Sequence, residues 1–178
     1  SYNIHRKTRG ETLIEMGIGI NTGRIIWGTI GSEVRMESAV IGDTVNLASR
    51  LQRLTRLYGA RILGSEHLLR HIPDMAPYGY REVDIVQVTG KTETVVVYEF
   101  FDGDPEPISS QKRKALEPFM QAIVRYRANE WDLAESLFGA CIKVCPEDAV
   151  ARMYIDRCRA LRASPPGPAW DGVTIQKT

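Results

Sequence analysis

The stretch VIGDTVNLASRLQRL, residues Val40–Leu54, decides how this sequence folds. After Gly42, apolar residues recur at the i, i+4, i+7 and i+11 spacing of one helix face. Asp43 stands where a helix N-cap is expected, and Gly59 stands where a left-handed C-terminal residue is expected. The pattern therefore predicts a helix over Thr44–Tyr58, capped by Asp43. The residues of its apolar face are Leu47, Leu51, Leu54 and Tyr58.

Extended segments precede this helix. Alternate positions between Ile14 and Ile20 are apolar, and this period of two indicates a β-strand. Arg24–Ile30 continues in an extended pattern, and we predict that it forms the second arm of a hairpin with the first strand. Glu37–Ile41 is a further short strand that leads into the helix.

The segments after the helix return to β-structure. Arg61–Gly64 is a short strand, and Ser65 is placed to cap a second helix over Glu66–Ile72. Tyr80–Val88 and Thr94–Phe101 are rich in Val and aromatic residues and are separated by a turn. We predict that these two strands form a hairpin.

The composition changes after Asp102–Pro107, which has the Gly, Asp and Pro content of a linker. Strands and helices are mixed before it, and only helical patterns follow. We therefore predict two units, residues 1–104 and residues 105–178. The second is a small all-helical extension whose proline-rich tail carries one aromatic anchor, Trp170. Its predicted helices are Lys112–Arg127, Leu133–Val144 and Ala149–Leu161.

The chain has 178 residues, 25% charged and 43% hydrophobic, which is the composition of a globular protein. With 23 basic and 22 acidic residues, its net charge of +1 gives no general attraction to nucleic acids. No apolar run approaches the ~20 residues that span a bilayer, so we expect a cytoplasmic domain, with any sensor or membrane module upstream of it. The 3 cysteines, all in the last third, favour buried thiols rather than disulfides.

Three segments in this order resemble the catalytic domain of class III nucleotide cyclases, the adenylate and guanylate cyclases. They are GIGINTGRIIWGTIGS (Gly17–Ser32), the stretch Val40–Leu54 and VTGKTETVVVYEF (Val88–Phe100). The resemblance implies an α/β (α+β) fold, the ferredoxin-like sandwich of nucleotide cyclases, over about residues 14–101. It also implies a homodimer with sites at the interface of two domains arranged head to tail.

The resemblance implies a reaction as well. In that family the ribose 3′-hydroxyl of a nucleoside triphosphate attacks its own α-phosphate and expels pyrophosphate. The family's Asn and Arg near the ribose and α-phosphate match Asn46 and Arg50, which we therefore take as the catalytic residues. They stand four apart on the predicted helix and so share a face. The Arg50 guanidinium can offer a planar fork of donors to phosphate.

Three positions depart from the family pattern. The two metal-binding aspartates lie upstream of Ile14 in the family and have no match here. We therefore expect an N-terminally incomplete domain that holds no metal, whereas the complete domain would use Mg²⁺ or Mn²⁺. Ala39 occupies a base-recognition position, where its side chain can neither donate nor accept a hydrogen bond. Thr89 replaces the usual first lysine of the hairpin turn, which leaves Lys91 as the candidate nucleotide phosphate contact.

The helical extension resembles a single tetratricopeptide repeat. One repeat cannot bury its own apolar face, so we expect the extension to pack on the preceding domain or on a partner chain. The residues that fall near the repeat's spacing are Ala122, Trp131, Ala134, Phe138 and Pro146.

Together these features favour an adenylate cyclase that converts ATP to cyclic AMP in intracellular signalling. One alternative is a guanylate cyclase, which would use GTP. Another is a degenerate cyclase homology domain that binds nucleotide, or only dimerises, and regulates a partner. A third is a tetratricopeptide-type adaptor with a vestigial cyclase part. Ala39 and Thr89 favour the degenerate domain, whereas Asn46 and Arg50 favour the enzyme.

Overall fold

A computed structural model of the chain describes residues 2–32, 35–88, 93–167 and 170–176. Its helices are α1 (Tyr2–Thr8), α2 (Asp43–Tyr58), α3 (Glu66–Leu69), α4 (Ile108–Lys114), α5 (Leu116–Arg127), α6 (Trp131–Val144) and α7 (Ala149–Ala163). Its strands are β1 (Ile18–Ile20), β2 (Ile26–Ser32), β3 (Arg35–Ile41), β4 (Ile62–Ser65), β5 (Tyr80–Val88), β6 (Thr94–Phe100) and β7 (Thr174–Gln176).

Five strands form one mixed sheet in the order β1-β4-β6-β5-β7. The β1–β4 and β5–β7 pairs are parallel, and the pairs that β6 makes with β4 and β5 are antiparallel. Helix α2 packs on β1 and β4, and the short helix α3 contacts β4 and β6. The predicted mixed α/β fold with a helical C-terminal portion is confirmed, as is the predicted β5–β6 hairpin.

The predicted hairpin between the first two strands is wrong. β1 pairs with β4 in parallel, whereas β2 pairs with β3 in a separate two-stranded antiparallel sheet. A parallel pair needs a long crossover connection, and the segment that contains α2 supplies it. Alternation of apolar residues indicated that each segment is extended, but it carried no information about which partner each strand takes.

Two local predictions in the helical extension also need correction. The predicted helix Lys112–Arg127 is broken at Ala115 into α4 and α5. Pro118 has no N–H to donate to the Lys114 carbonyl, and the loss of this hydrogen bond favours a break in the helix there. Regular structure also resumes after the proline-rich tail, where β7 pairs with β5. The predicted anchor Trp170 is confirmed, because its ring packs edge-on against Tyr126, with 5.4 Å between centroids.

One hydrophobic core runs from α2 and the central strands into helices α5, α6 and α7. The expectation that the extension packs on the preceding unit is therefore confirmed. The boundary at residue 104 and the likeness to a tetratricopeptide repeat stay predictions. All three cysteines are buried, as predicted, and each is a free thiol. None of the helices that the structure describes has the length and hydropathy needed to cross a membrane.

A buried network of charged side chains joins the sheet to the extension. The Arg81 guanidinium on β5 donates two hydrogen bonds to Asp148, of 2.6 and 2.7 Å, and a third of 2.7 Å to Glu99 on β6. Lys112 of α4 donates to Glu99 and to Asp104 at 2.6 Å each. Breaking one partner of such a pair leaves an uncompensated charge in the interior, which typically costs about 3–5 kcal/mol.

Asp148 has two roles in this network. Its Oδ1 atom also accepts a hydrogen bond from the Ala151 N–H, so it caps α7. Burial alone would raise the pKa of Asp148, but the hydrogen bonds and charge of Arg81 outweigh it and hold the pKa below its usual range. The stabilisation is therefore present at neutral pH and is lost as the pH falls through the lowered native value.

We predict that Asp148→Ala lowers the free energy of unfolding by about 3–5 kcal/mol, because it removes a helix cap and leaves the Arg81 charge buried without its bidentate partner. Asp156→Ala, on the same helix but with a side chain 72% exposed, should change stability by no more than about 0.5 kcal/mol. Urea denaturation of both variants at neutral pH measures the difference. Equal stability of the two variants would contradict the structural role of the network.

Candidate active site

A cavity of about 360 Å³ opens at the N-terminal end of α2. The loop after β1 forms one wall, α2 forms the second, and α3 with the start of β6 forms the third. Asn46 and Arg50, the two residues predicted to be catalytic, both line it. Among its other lining residues are Thr22, His67 and Glu93.

Hydrogen bonds fix the β1 loop to the first turn of α2. The Asn21 side-chain amide donates to the Thr44 carbonyl over 3.1 Å, and the Thr44 hydroxyl donates to the Arg24 carbonyl over 2.9 Å. The Ser65 hydroxyl in turn donates to the Asn21 Oδ1 atom over 2.6 Å. Asn21 therefore bridges the start of α2 and the end of β4, and it holds two cavity walls together.

The glycines of the GIGINTG segment allow β1 to lie against α2. A Cβ atom on Gly19 would lie 2.2 Å from the Ala48 carbonyl oxygen and 2.3 Å from the Gln52 nitrogen. These are backbone atoms of α2, so they cannot turn away as a side chain could. Gly17 is similarly close to Thr55. The close approach sets the separation between the strand and the helix that carries Asn46 and Arg50.

Asn46 and Arg50 lie one helical turn apart on the flank of α2. Asn46 is exposed and Arg50 is half-buried. Within the described ranges, no salt bridge involves Arg50, and its side chain lines the cavity. This placement agrees with the prediction that both side chains act at one site, although their catalytic roles stay a prediction.

The predicted capping role of Asp43 is wrong. The N-cap is Gly42, with no side-chain cap bond, and α2 begins at Asp43, which lies in the cavity wall. The Thr44 hydroxyl instead bonds outward to the β1 loop. The sequence pattern indicated the start of the helix correctly, but the neighbouring loop decides which polar side chain faces which group.

Of the other two predicted site residues, only Ala39 is among the described residues, and the structure does not bring it to this cavity. Ala39 lies on β3 opposite Gly28, and it is not among the cavity's lining residues. Lys91, like Thr89, falls outside the described residues. Conversely, Asn21, His67 and Glu93 line the cavity without having been predicted to do so. The available signal was that each stands at the end of a predicted strand or at the start of a predicted helix or strand, where elements meet.

The described residues do not fit a resident metal ion. Over residues 2–32, 35–88, 93–167 and 170–176, no group of three or more His, Cys, Asp or Glu side chains is placed to hold one. Asp43 and Glu93 both line the cavity but form no such group. Mg²⁺ needs oxygen ligands in near-octahedral geometry, and the described residues do not supply such a set.

Comparison with known proteins identifies the family. The sequence model of the adenylate and guanylate cyclase catalytic domain matches residues 2–100, more than half of the 178 residues. The chain belongs to this cyclase family. The match begins before residue 14, where we expected the resemblance to start, and it ends at the last residue of β6.

The relatives of this cyclase domain include much longer proteins. The terminal-differentiation-specific adenylate cyclase of Dictyostelium discoideum is 38% identical over 146 residues, which are 82% of this chain and 7% of that protein. An adenylate cyclase of Anabaena cylindrica is 42% identical over 91 residues, 51% of this chain and 18% of that protein. The chain thus spans less than a fifth of either relative.

The first alignment is longer than the family match, so it reaches into the helical extension. The extension is therefore shared, at least in part, with that relative. Among solved structures, the guanylyl cyclase Cya2 is 36% identical and covers 59% of this chain and 51% of its own, with a TM-score of 0.46.

We predict that Gly19→Ala disrupts the packing of β1 on α2, because its methyl group would overlap backbone atoms of the helix. The expected loss of stability is about 2–4 kcal/mol, the range of severe overpacking. Gly139→Ala is the matched control, since nothing lies within 4 Å of the added Cβ and the site is inside α6. It should stabilise the chain by up to about 1 kcal/mol. Thermal and urea melts distinguish the two, and equal effects would contradict the close approach.

Proposed function

We propose that this cyclase domain converts ATP to cyclic AMP and pyrophosphate, with Asn46 and Arg50 as its catalytic residues. The observation that carries the proposal is their joint position in one cavity, with the Arg50 charge unpaired by any described residue. The cavity of about 360 Å³ is within the range of small-molecule sites.

The chemistry required of these two side chains follows from the reaction. When the ribose 3′-oxygen attacks the α-phosphate, negative charge grows on the phosphoryl oxygens and on the departing pyrophosphate. The Arg50 guanidinium can donate a fixed pair of hydrogen bonds to those oxygens, and the interaction strengthens as charge develops. Asn46, one turn earlier, can donate to the ribose and hold it in the orientation for attack.

ATP is the proposed substrate because both relatives described above are named adenylate cyclases. GTP is the alternative, since Ala39 offers no hydrogen bond with which to select a purine base. We place the reaction in the cytoplasm. We expect the reaction to require Mg²⁺ or Mn²⁺, for which the described residues provide no group of ligands.

We further propose that the domain works as a homodimer. The β2–β3 hairpin forms its own sheet and exposes large apolar side chains, among them Ile26 at 71% and Trp27 at 74% exposure. Val40 and Ile41 on the facing strand are also exposed. Such a surface favours association with another apolar face. A head-to-tail partner would bring a second hairpin, and with it a second Ala39, toward the nucleotide.

A second candidate function is a nucleotide-binding module that regulates an active partner. Ala39 and the lack of a metal-binding group within the described residues favour it. This candidate retains binding at the Asn46–Arg50 cavity but predicts no turnover in any form of the protein.

We predict that Arg50→Ala lowers kcat of the full-length protein by about a hundredfold or more with little change in KM. A donor aimed at charge that appears only in the transition state contributes to kcat, and its loss costs about 3–4 kcal/mol. Arg50→Lys should restore activity only partly, because an ammonium lacks the planar fork. Arg53→Ala is the matched control, exposed on the same helix and absent from the cavity wall. Equal kcat for the Arg50 and Arg53 variants would favour the regulatory module.

We predict that residues 1–178 alone show no cyclase turnover with ATP or GTP in the presence of Mg²⁺ or Mn²⁺, because the described residues supply no metal-binding group. Product analysis by chromatography measures this, with the full-length protein as the positive control. Metal-dependent cyclic nucleotide formation by residues 1–178 would contradict this prediction, because it would show that these residues do bind the metal. Inactivity of the full-length protein would instead favour the regulatory module.

A further inference from the structure

Helix α7 of the extension is anchored along one short segment of the central sheet. Its cap residue Asp148 holds Arg81, the Tyr154 hydroxyl donates to the Val83 carbonyl over 2.8 Å, and Arg157 donates to Asp84 Oδ2 over 2.8 Å. The register of β5 against β6 shifts between Glu82 and Asp84, a β-bulge. A bulge leaves backbone groups without ladder partners, and Tyr154 satisfies the one at Val83.

The Asp84 Oδ2 atom also accepts a hydrogen bond from the last turn of α2, the helix that carries the proposed catalytic residues. The Tyr58 hydroxyl, in the last turn of α2, donates to Asp84 Oδ2 over 2.7 Å. Tyr58 is fully buried, and the side chain of Asp84 is 1% exposed. One atom of the sheet is therefore shared by a donor from α2 and a donor from α7.

Burial and neighbouring charges determine how Tyr58 and Asp84 interact. Burial, the neighbouring Asp84 charge and their hydrogen bond all raise the pKa of Tyr58, so its hydroxyl stays protonated and can only donate to the carboxylate. Arg157 neutralises the buried Asp84 charge. Without Arg157, that charge would lose its ion-pair partner in the extension, and carboxylate and tyrosine would rearrange together.

The two helices also touch directly beside this contact. Gly59 ends α2 in the left-handed conformation with φ of 60°, and a Cβ atom there would lie 2.6 Å from the Ala149 Cβ on α7. The C-terminal end of α2 is thus held between the sheet and the extension. Tyr58 lies two turns beyond Arg50 on the same helix, about 12 Å along its axis.

We infer that Arg157 is a positioning residue for Arg50 and Asn46: through Asp84 and Tyr58, the helical extension sets the placement of α2 in the catalytic site. The bonds of Asn21 and Thr44 fix the first turn of α2, and the Tyr58–Asp84–Arg157 contact fixes its last turn. The extension is then part of the catalytic unit, not an adaptor appended to it. The step from the placement of α2 to catalysis rests on the proposed function.

The first test measures the placement of α2 without any turnover. Amide hydrogen exchange of residues 43–58 is compared in the 178-residue chain for Arg157→Gln and for Arg159→Gln, a control on the same helix with a side chain 60% exposed. We expect exchange in α2 to be faster by about tenfold in the Arg157 variant and unchanged in the control, with α5 and α6 protected in both. Equal exchange in α2 for both variants would overturn the inference.

A second pair of variants guards against simple loss of folding. Tyr58→Phe and Tyr154→Phe each remove one buried hydroxyl with a single bond to β5, of 2.7 and 2.8 Å, but only Tyr58 lies on α2. Both are expected to fold. Faster exchange in α2 for the Tyr58 variant supports the inference, whereas unchanged exchange in α2 for that variant overturns it, because the inferred coupling passes through the Tyr58 hydroxyl.

The final test uses kinetics of the full-length protein. Arg157→Gln and Tyr58→Phe should each lower kcat by about ten- to a hundredfold with KM changed less than about twofold, since a small displacement of a catalytic group costs that much. The double variant should be no slower than the worse single variant, and Arg157→Lys should recover part of the loss. Additive effects, or a raised KM with unchanged kcat, would overturn the positioning role. An inactive wild type with the α2 exchange effect intact would refute the proposed cyclase activity and leave the coupling supported.

Discussion

The bidentate bond between Arg81 and Asp148 is the interaction on which the arrangement of this molecule depends. It connects β5, an interior strand of the cyclase sheet, to the N-cap of α7, 67 residues later in the chain. Both side chains are fully buried, so neither charge can turn to water if the bond is broken. The sheet and the helical extension therefore hold each other in one geometry, and Glu99 and Lys112 extend the same constraint to β6 and α4.

The consequence for the site is that α2 is held at both ends by groups from elsewhere in the chain. Asn21 and Thr44 attach its first turn to the β1 loop, and Tyr58 attaches its last turn to Asp84. Between these ends, Gly19 lets the strand approach the helix backbone. A helix fixed in this way can present Asn46 and Arg50 to a ligand with little freedom to move, which is what catalysis by orientation and fixed charge requires.

The errors of sequence-based prediction have more than one physical origin. The predicted hairpin of the first two strands failed because alternation describes one strand, whereas pairing depends on the crossover that contains α2. The cap at Asp43 failed because α2 already begins at Asp43, with Gly42 in the N-cap position. The break at Ala115 could have been predicted, since Pro118 carries its own local signal. Pairing between distant segments thus accounts for the first error, whereas the other two concern local features at Gly42 and Pro118.

The sequence by itself determined the helix Asp43–Tyr58, the β5–β6 hairpin and the helical extension, because each depends on residues close together in the chain. It also identified the family, from three segments in a fixed order. It also put Asn46 and Arg50 on one face, since residues four apart on a helix are neighbours. Only the tertiary structure decided that Asn21, His67 and Glu93 complete the cavity and that Asp84 joins α2 to α7. Those contacts pair residues tens of positions apart, and their partners are chosen by burial of charge and by close packing, which no local pattern records.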